Sequence, residues 1–447
     1  MEGYRYRFDR KNADNSFSWR CPKRSCKGRL KEHEDGTKAI ITEHNHVPDP
    51  EGNEVFKIAA QIRERATETV EKPRQVIQQC SAGVPLHVTV KLPSYNASQR
   101  TVERVRQKQN LDYGPVNALR DINIPLDLKK TVRGVDFLLF DSGVDDLSRI
   151  LIFGTVENLE LLEEHKHWFI DGTFKISPTI FTQVFTIHSL INNSAYPLIY
   201  ALLPDKTENS YERVFKKILE LRPGLAPTSV MSDFEMACLN AFCKTFPRAT
   251  QVGCFFHLGQ CLWRKVQDHN LVNAYKTDEN VRLYIKMLLA LSFVPVAHVA
   301  EAFSELVEQS PDGLDDINDY WEDNFIGRLQ RRGRRNPRFD VKLWNMYDRV
   351  NGDLPRTNNS VEAWHLSFQQ TVDCHHPSVY KLVEHLRKEQ DHTEILIARF
   401  LAGHVKLVSA KSTYAKLNRR IKTLVTKYDE ANNYYDYLHG IAYNVQI

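Results

Sequence analysis

Residues 167–270 carry an order of apolar runs that few folds accommodate. "HWFIDGTFK" is a short run of aromatic and β-branched residues around Asp171 and reads as a buried strand ending at that acid. "TIFTQVFTIHSLI" and "AYPLIYALLPD" are longer apolar segments separated by "NNSA", a hairpin signal. Then "SYERVFKKILELR" has helical spacing, "TSVMSDF" reads as a strand, "MACLNAFCKTF" as a helix, "ATQVGCFF" as a strand and "LGQCLWRKVQ" as a helix. Strand, strand, strand, then three alternations of helix with strand or helix, predict an α/β fold. Antiparallel strands come first and helix-linked strands follow, so the sheet is mixed and helices pack on it.

Around this block the pattern changes. Residues 1–50 are aromatic and basic, with "GYRYRFDRK" and "NSFSWRC" alternating as short strands do and Asn12 to Asn15 turning between them. "HNHVPDPEGNE" reads as a linker. Residues 51–139 are expected to be that linker and a small helical region. Its helix over Val55–Val70 would bury Phe56, Ala59, Ile62 and Ala66, and its second, "SQRTVERVRQKQ", follows a proline-rich break. Two short basic helices suit a helix-turn-helix or a plain helical spacer. The α/β core is expected over 140–270, an entirely helical insertion over 271–350, and a returning core helix over 351–375, capped by Asn358–Ser360 with Val361, Trp364 and Phe368 on one face. Residues 376–447 read as a basic helical tail.

Charge is uneven rather than large. The formal net charge is +4, but Arg399–Lys427 holds eight basic residues and no acid, and "RLQRRGRRNPR" (328–338) holds six arginines. Such runs serve as solvated surface or as contacts for a polyanion, with nucleic acid the obvious one. The absence of a charged start followed by an apolar run, and of 18 uninterrupted apolar residues, predicts neither signal peptide nor membrane span. The eight cysteines are sparse and locally clustered, which suits reduced thiols and metal ligands inside a cell.

Asp171 ends the first strand of the sheet and Asp233 ends the strand after the first crossover helix. A right-handed crossover lays these strands parallel and adjacent, so the two carboxylates meet at one edge. Adjacent acids repel and a strand end is a poor place to bury charge; a bound cation resolves both difficulties. An Asp after a strand is also a common turn residue or helix cap. Glu362, in the first turn after "RTNNS", is by itself an ordinary dipole-favoured position, and its weight comes from the other two acids.

"WFIDGTFK", "VMSDFEMAC", "GCFFHLGQCLWRKV" and "RTNNSVEAWH", in this order over about residues 140–375, resemble the transposase domain of Mutator-like elements. That resemblance implies an RNase H-like fold and an Asp-Asp-Glu triad, matched here by Asp171, Asp233 and Glu362, with Mg2+ or Mn2+ as cofactor. It implies cleavage of double-stranded DNA at element ends and joining of the freed hydroxyl to a target. Multimeric action and a nuclear location follow from the same resemblance. Cys254 and His257 match the family's Cys-x-x-His motif. They read as structural or substrate-positioning residues, or, with Cys261, as half of a zinc site.

Cys21-x₄-Cys26 followed by His44-x-His46 supplies the four ligands of a closed tetrahedral zinc site, with His33 as a spare. So small a module buries too little apolar surface to hold itself together, and a metal would account for its folding. With Tyr4, Tyr6, Phe8 and Trp19, the segment resembles the FLYWCH-type zinc finger, a small zinc-held β module that binds DNA or proteins. Arg20, Lys23, Arg24, Lys27 and Arg29 surround the cysteines as phosphate contacts would. The whole is expected to be a Mutator-like DNA transposase. The alternative is a host-captured, transposase-derived DNA-binding regulator without transposition activity.

Overall fold

The computed structural model describes residues 3–69, 71–111, 116–403, 412–430 and 433–446, and the chain divides into two compact units, 1–115 and 116–447. The division falls earlier than the expected boundary at 139–140. Ile122, Ile124, Leu128 and Phe137 are all buried in the second unit's core, which draws their segment into it.

In the first unit β1 (Arg7–Lys11), β2 (Phe17–Arg20), β3 (Arg29–Glu32) and β4 (Lys38–Thr42) form an antiparallel meander in chain order. Among its described residues only Ser16, Cys21, Gly28 and Leu30 are buried, so hydrophobic burial contributes little to this sheet. Helices α1 (Pro50–Glu68), α2 (Pro73–Ser81), α3 (Leu86–Thr89) and α4 (Tyr95–Leu111) pack around Ile58, Ile62, Ala66, Val76, Val88 and Val102. The expected linker is partly helix. Asp49 accepts a hydrogen bond from the Gly52 amide at 2.9 Å and Pro50 takes the first helical position, where a missing N–H costs nothing. The buried face of α1 also differs from the expected one, because Ile58 is inward while Phe56 is exposed and lies under the Arg5 guanidinium. Arg106 on α4 donates to the carbonyls of Ala66, Thr69 and Glu71, satisfying the open end of α1. Val70, the expected end of that helix, lies outside the described residues.

The second unit is built on a mixed sheet. In chain order its elements begin with β5 (Leu138–Asp141), β6 (Leu151–Phe153), α5 (Val156–Glu164), β7 (His167–Thr173), β8 (Gln183–Ile191) and β9 (Ser194–Leu203). Next come α6 (Glu208–Leu221), β10 (Ser229–Ser232), α7 (Met236–Thr245), β11 (Thr250–Gly253) and α8 (Phe255–Asp268). The seven strands are ordered β11-β10-β7-β8-β9-β6-β5. β10 runs parallel to both β7 and β11, and every other pairing is antiparallel. The β8–β9 hairpin turns on Asn192 and Asn193, at φ of 50° and 61°, the left-handed pair that matches strand twist. Both strands are buried almost throughout, as continuous apolar runs covered on two faces must be. β5 was not legible as a strand; it is four half-buried residues at the sheet edge, paired only with β6.

The insertion comprises α9 (Val272–Thr277), α10 (Glu279–Ala290), α11 (Val299–Glu308), α12 (Asp315–Trp321), the two-residue strands β12 (Leu329–Gln330) and β13 (Gly333–Arg334), α13 (Val341–Trp344) and α14 (Tyr347–Asn351). It is therefore not entirely helical, although its hairpin forms a separate sheet and extends nothing. That hairpin is the arginine cluster. Arg328 and Arg335 pair with Asp323, and Arg334 pairs with Glu322 at 2.6 Å, while Arg331 and Arg332 are exposed at the tip.

α15 (Asn359–Val372), α16 (Val379–Leu401), α17 (Ser412–Thr426) and α18 (Tyr434–Ala442) complete the unit. The last three correct the expectation of a tail. Leu382, Val383 and Leu386 of α16 join the core on the sheet, and Leu438, Ile441 and Ala442 of α18 are fully buried with α10 and α11. Part of the basic run, 404–411, lies outside the described residues. Leu438→Ala is expected to cost about 2–5 kcal/mol in urea unfolding. Leu401→Ala, at a position 70% exposed, should cost less than about 0.5 kcal/mol. Equal small effects would return α18 to a tail.

Candidate functional site

β10 pairs with β7 through Val230 beside Trp168 and Met231 beside Phe169. Continuing that register brings Asp233, just past the end of β10, level with Asp171 on β7. The Asp171 side chain accepts from the Gly172 amide at 2.7 Å, and its second oxygen lies 3.3 Å from His365 Nε2. The Asp233 side chain stands 2.8 Å from His257 Nδ1, and the other ring nitrogen of His257 lies 3.5 Å from a Glu362 oxygen. One imidazole thus stands between the second and third acids. Asp171, Glu362 and His365 line a single cleft of about 300 Å³ with Phe174, Leu366 and Gln369.

Glu362 is brought here by a clasp between two helix starts. Cys254, the residue before α8, donates its thiol to the Asn358 side-chain oxygen at 3.0 Å, and the Asn358 amide points back at the sulfur at 3.4 Å. The Phe255 amide donates to the Arg356 carbonyl at 3.0 Å. Asn358 occupies the expected cap position, but its side chain serves Cys254 instead of the helix. Cys254 therefore acts as a fastener for α15. Among the described residues, Cys254, His257 and Cys261 do not form a tight group of metal-ligating atoms.

The electrostatics follow from the crowding. Burial raises the Glu362 carboxyl, the two histidines pull it back, and Asp171 and Asp233 push it up again; the net shift is upward. Burial opposes charge on His257, yet the Asp233 carboxylate beside it acts the other way and the imidazole is raised on balance. Beyond Asp171 lies a second small cavity, lined also by Asp233, Glu235, Lys206, Tyr211 and Gln183. Glu235 is already matched there, by Lys206 at 2.8 Å and by the Tyr211 hydroxyl at 2.9 Å. It adds no uncompensated charge.

In the first unit the four expected ligands converge: one ligand atom from each of Cys21, Cys26, His44 and His46 lies within 4.8 Å of all the others. Cys21 Sγ is 3.4 Å from His46 Nε2, Cys26 Sγ is 3.3 Å from His44 Nδ1, and those two nitrogens are 3.2 Å apart. Tetrahedral zinc, with bonds of about 2.3 Å to sulfur and about 2.0 Å to nitrogen, sets sulfur–nitrogen edges at about 3.5 Å and nitrogen–nitrogen edges at about 3.3 Å. The donor set fits the metal. His46 Nδ1 faces the Val47 carbonyl at 2.8 Å, which fixes the tautomer that leaves Nε2 free to bind. Tyr4 stacks on His44 with ring centroids 4.0 Å apart. His33 is not part of the cluster. Gly28 is required beside it, because a Cβ there would stand 2.7 Å from His44 Nδ1. Of the flanking basic residues, Arg20 and Arg29 pair with Asp9, while Lys23, Arg24 and Lys27 are exposed.

Both the adjacent parallel strands with their acids, in the mixed α/β unit, and the small Cys₂His₂ β module fall within matches to known domains. Residues 167–260 match the MULE transposase domain, and residues 1–47 match the FLYWCH zinc finger domain. The first match takes in Asp171, Asp233, Cys254 and His257 and stops short of Glu362. No curated protein matches the chain at a significant level. Both domains fit a DNA-binding role, and among the described residues no helix is long and apolar enough to cross a membrane.

His365 was missed by the sequence reading although its signal was present. It stands three residues after Glu362, the spacing that sets two side chains on one face of a helix. Atomic emission analysis of the full chain is expected to find zinc that Cys26→Ser removes. Gly28→Ala should weaken its retention against a chelator by about tenfold or more. Unchanged zinc in both variants would move the metal elsewhere.

Proposed function

We propose that the second unit is the catalytic domain of a DNA transposase of the Mutator-like type, acting through Asp171, Asp233 and Glu362. The observation that carries this reading is that Asp171 and Glu362, from β7 and α15, line one cleft, while Asp233, just past β10, is bridged to Glu362 through the His257 ring. The strand order β9-β8-β7-β10-β11, with β7 between an antiparallel and a parallel neighbour, supports an RNase H-like fold.

The donor set fits Mg2+ or Mn2+. It is oxygen-rich and opens on a cleft with room for waters and a phosphate, and Asp171 and Asp233 raise the cost of ionising Glu362, which a cation would relieve. Bound between these carboxylates, divalent cations would supply the charge that activates a water or hydroxyl and stabilises the leaving oxygen. The chain's own residues hold position. The Gly172 amide fixes Asp171, and the Cys254–Asn358 clasp sets the start of α15 and with it Glu362. His257 stands between Asp233 and Glu362 and, when protonated, offsets their charge. The reaction is attack of water on a phosphodiester, breaking one P–O bond and freeing a 3′-hydroxyl, followed by attack of that hydroxyl on a target phosphodiester, which forms a new P–O bond, breaks the one to the target strand's 3′-oxygen and releases that oxygen as a hydroxyl.

On this reading the zinc module contacts the double-stranded DNA of the element ends through exposed Lys23, Arg24 and Lys27, two or more copies pair the ends, and the protein works in the nucleus. The presence of all three acids favours the enzyme over a captured DNA-binding regulator. In a magnesium-dependent assay on DNA bearing the element's own ends, Asp171→Asn, Asp233→Asn and Glu362→Gln should each lower cleavage by roughly a thousandfold or more. DNA affinity should stay within about threefold, because the loss concerns the transition state and not ground-state binding. Undiminished cleavage by any variant removes that residue from the mechanism.

A further inference from the structure

His365 stands in the cleft against Asp171 with one ring nitrogen left over. It is 6% exposed and lines the cleft with Asp171 and Glu362; Nε2 faces an Asp171 oxygen at 3.3 Å, while Nδ1 makes no hydrogen bond. The other buried imidazole nearby differs, since His188 Nε2 meets the Thr186 hydroxyl at 3.0 Å. A buried ring nitrogen left without a partner costs stability unless something else satisfies it. Here the ring is oriented by Trp364 and His188, at centroid distances of 5.0 and 6.1 Å, and Trp364 is itself tied down through its Nε1 to Glu389 at 2.6 Å.

We infer that His365 is a ligand to the cation held by Asp171 and Glu362, making a mixed carboxylate–imidazole site that favours a first-row transition cation such as Mn2+ over Mg2+. This rests on the reading of the acids as a cation site. Glu362 and His365, three residues apart, project from one face of α15 into the cleft, as paired metal ligands on a helix do. His365 Nε2 and the nearer Asp171 oxygen are 3.3 Å apart. Neighbouring ligand atoms around an octahedral ion with bonds of about 2.1 Å stand about 3 Å apart. The pair is close enough to share one ion, while the ligand atoms of Asp171, Glu362 and His365 together are not all within 4.8 Å of one another, so closing on the ion requires the group to tighten. Magnesium prefers oxygen donors and retained water, whereas imidazole strengthens binding of the transition cations, so the nitrogen sets the preference.

The test uses the full chain with its zinc module filled, Mn2+ as the probe and pulsed electron paramagnetic resonance to detect nitrogen bound directly to manganese. The wild type is expected to show that nitrogen coupling, His257→Gln to keep it, and both His365→Gln and His365→Asn to lose it. Mn2+ affinity should fall by about tenfold or more in the His365 variants, while Mg2+ affinity changes by less than about threefold. The wild-type spectrum needs no variant to fold, and circular dichroism checks the variants. Mn2+ binding that Asp171→Asn abolishes but that carries no nitrogen coupling, or coupling that survives loss of His365, would overturn the assignment and leave the acid site standing. Mn2+ binding indifferent to Asp171→Asn would defeat the acid site itself and this inference with it.

Discussion

Three carboxylates drawn to one end of a sheet repel each other, and much of the second unit can be understood as the means of holding them there. The parallel pairing of β7 with β10 brings Asp171 and Asp233 level. Glu362 arrives on a helix remote in sequence, and a thiol–amide clasp between Cys254 and Asn358 fixes where that helix begins. Two imidazoles then stand among the acids, one spanning Asp233 and Glu362 and one against Asp171. Crowded carboxylates without such neighbours repel each other at full strength.

The two units secure their folds by different physics. The second has continuous apolar cores on both faces of its sheet, where each buried Leu, Ile or Phe contributes about 1.5–3 kcal/mol. The insertion and α18 share one of these cores, so the helices between β11 and α15 are part of the scaffold that supports the site. The N-terminal meander has almost no buried apolar surface. Its geometry is concentrated in four ligand atoms whose spacing matches tetrahedral zinc, and binding free energy of a structural zinc takes the place of a core.

How much of this was legible in the sequence depended on whether the signal was local and periodic. The β7, β8 and β9 runs, the Asn192–Asn193 turn and the alternation that followed gave the sheet its order, and the crossover rule put Asp171 beside Asp233. The zinc ligands were legible from spacing, with His33 left as a spare that the fold sets aside. Glu362 was visible only in company, since nothing about a first-turn glutamate is unusual. The clasp was hidden, because a cap residue that serves a cysteine over a hundred positions away looks like any other cap. His365 was hidden inside an apolar helix face, where Trp364 beside it drew the eye to packing. The supposed tail failed for a related reason: its positive charge dominated the reading, while Leu438, Ile441 and Ala442 carry the burial.

The central claim is that the acids of β7, β10 and α15 share divalent cations. Crystals grown with Mn2+ and measured at the manganese absorption edge test it without reference to activity. Anomalous density within bonding distance of Asp171 and Glu362, with Asp233 reaching the same or an adjoining ion, is the predicted result. Acids still engaged only by His257 and His365 at saturating Mn2+, with no anomalous density between them, would contradict it.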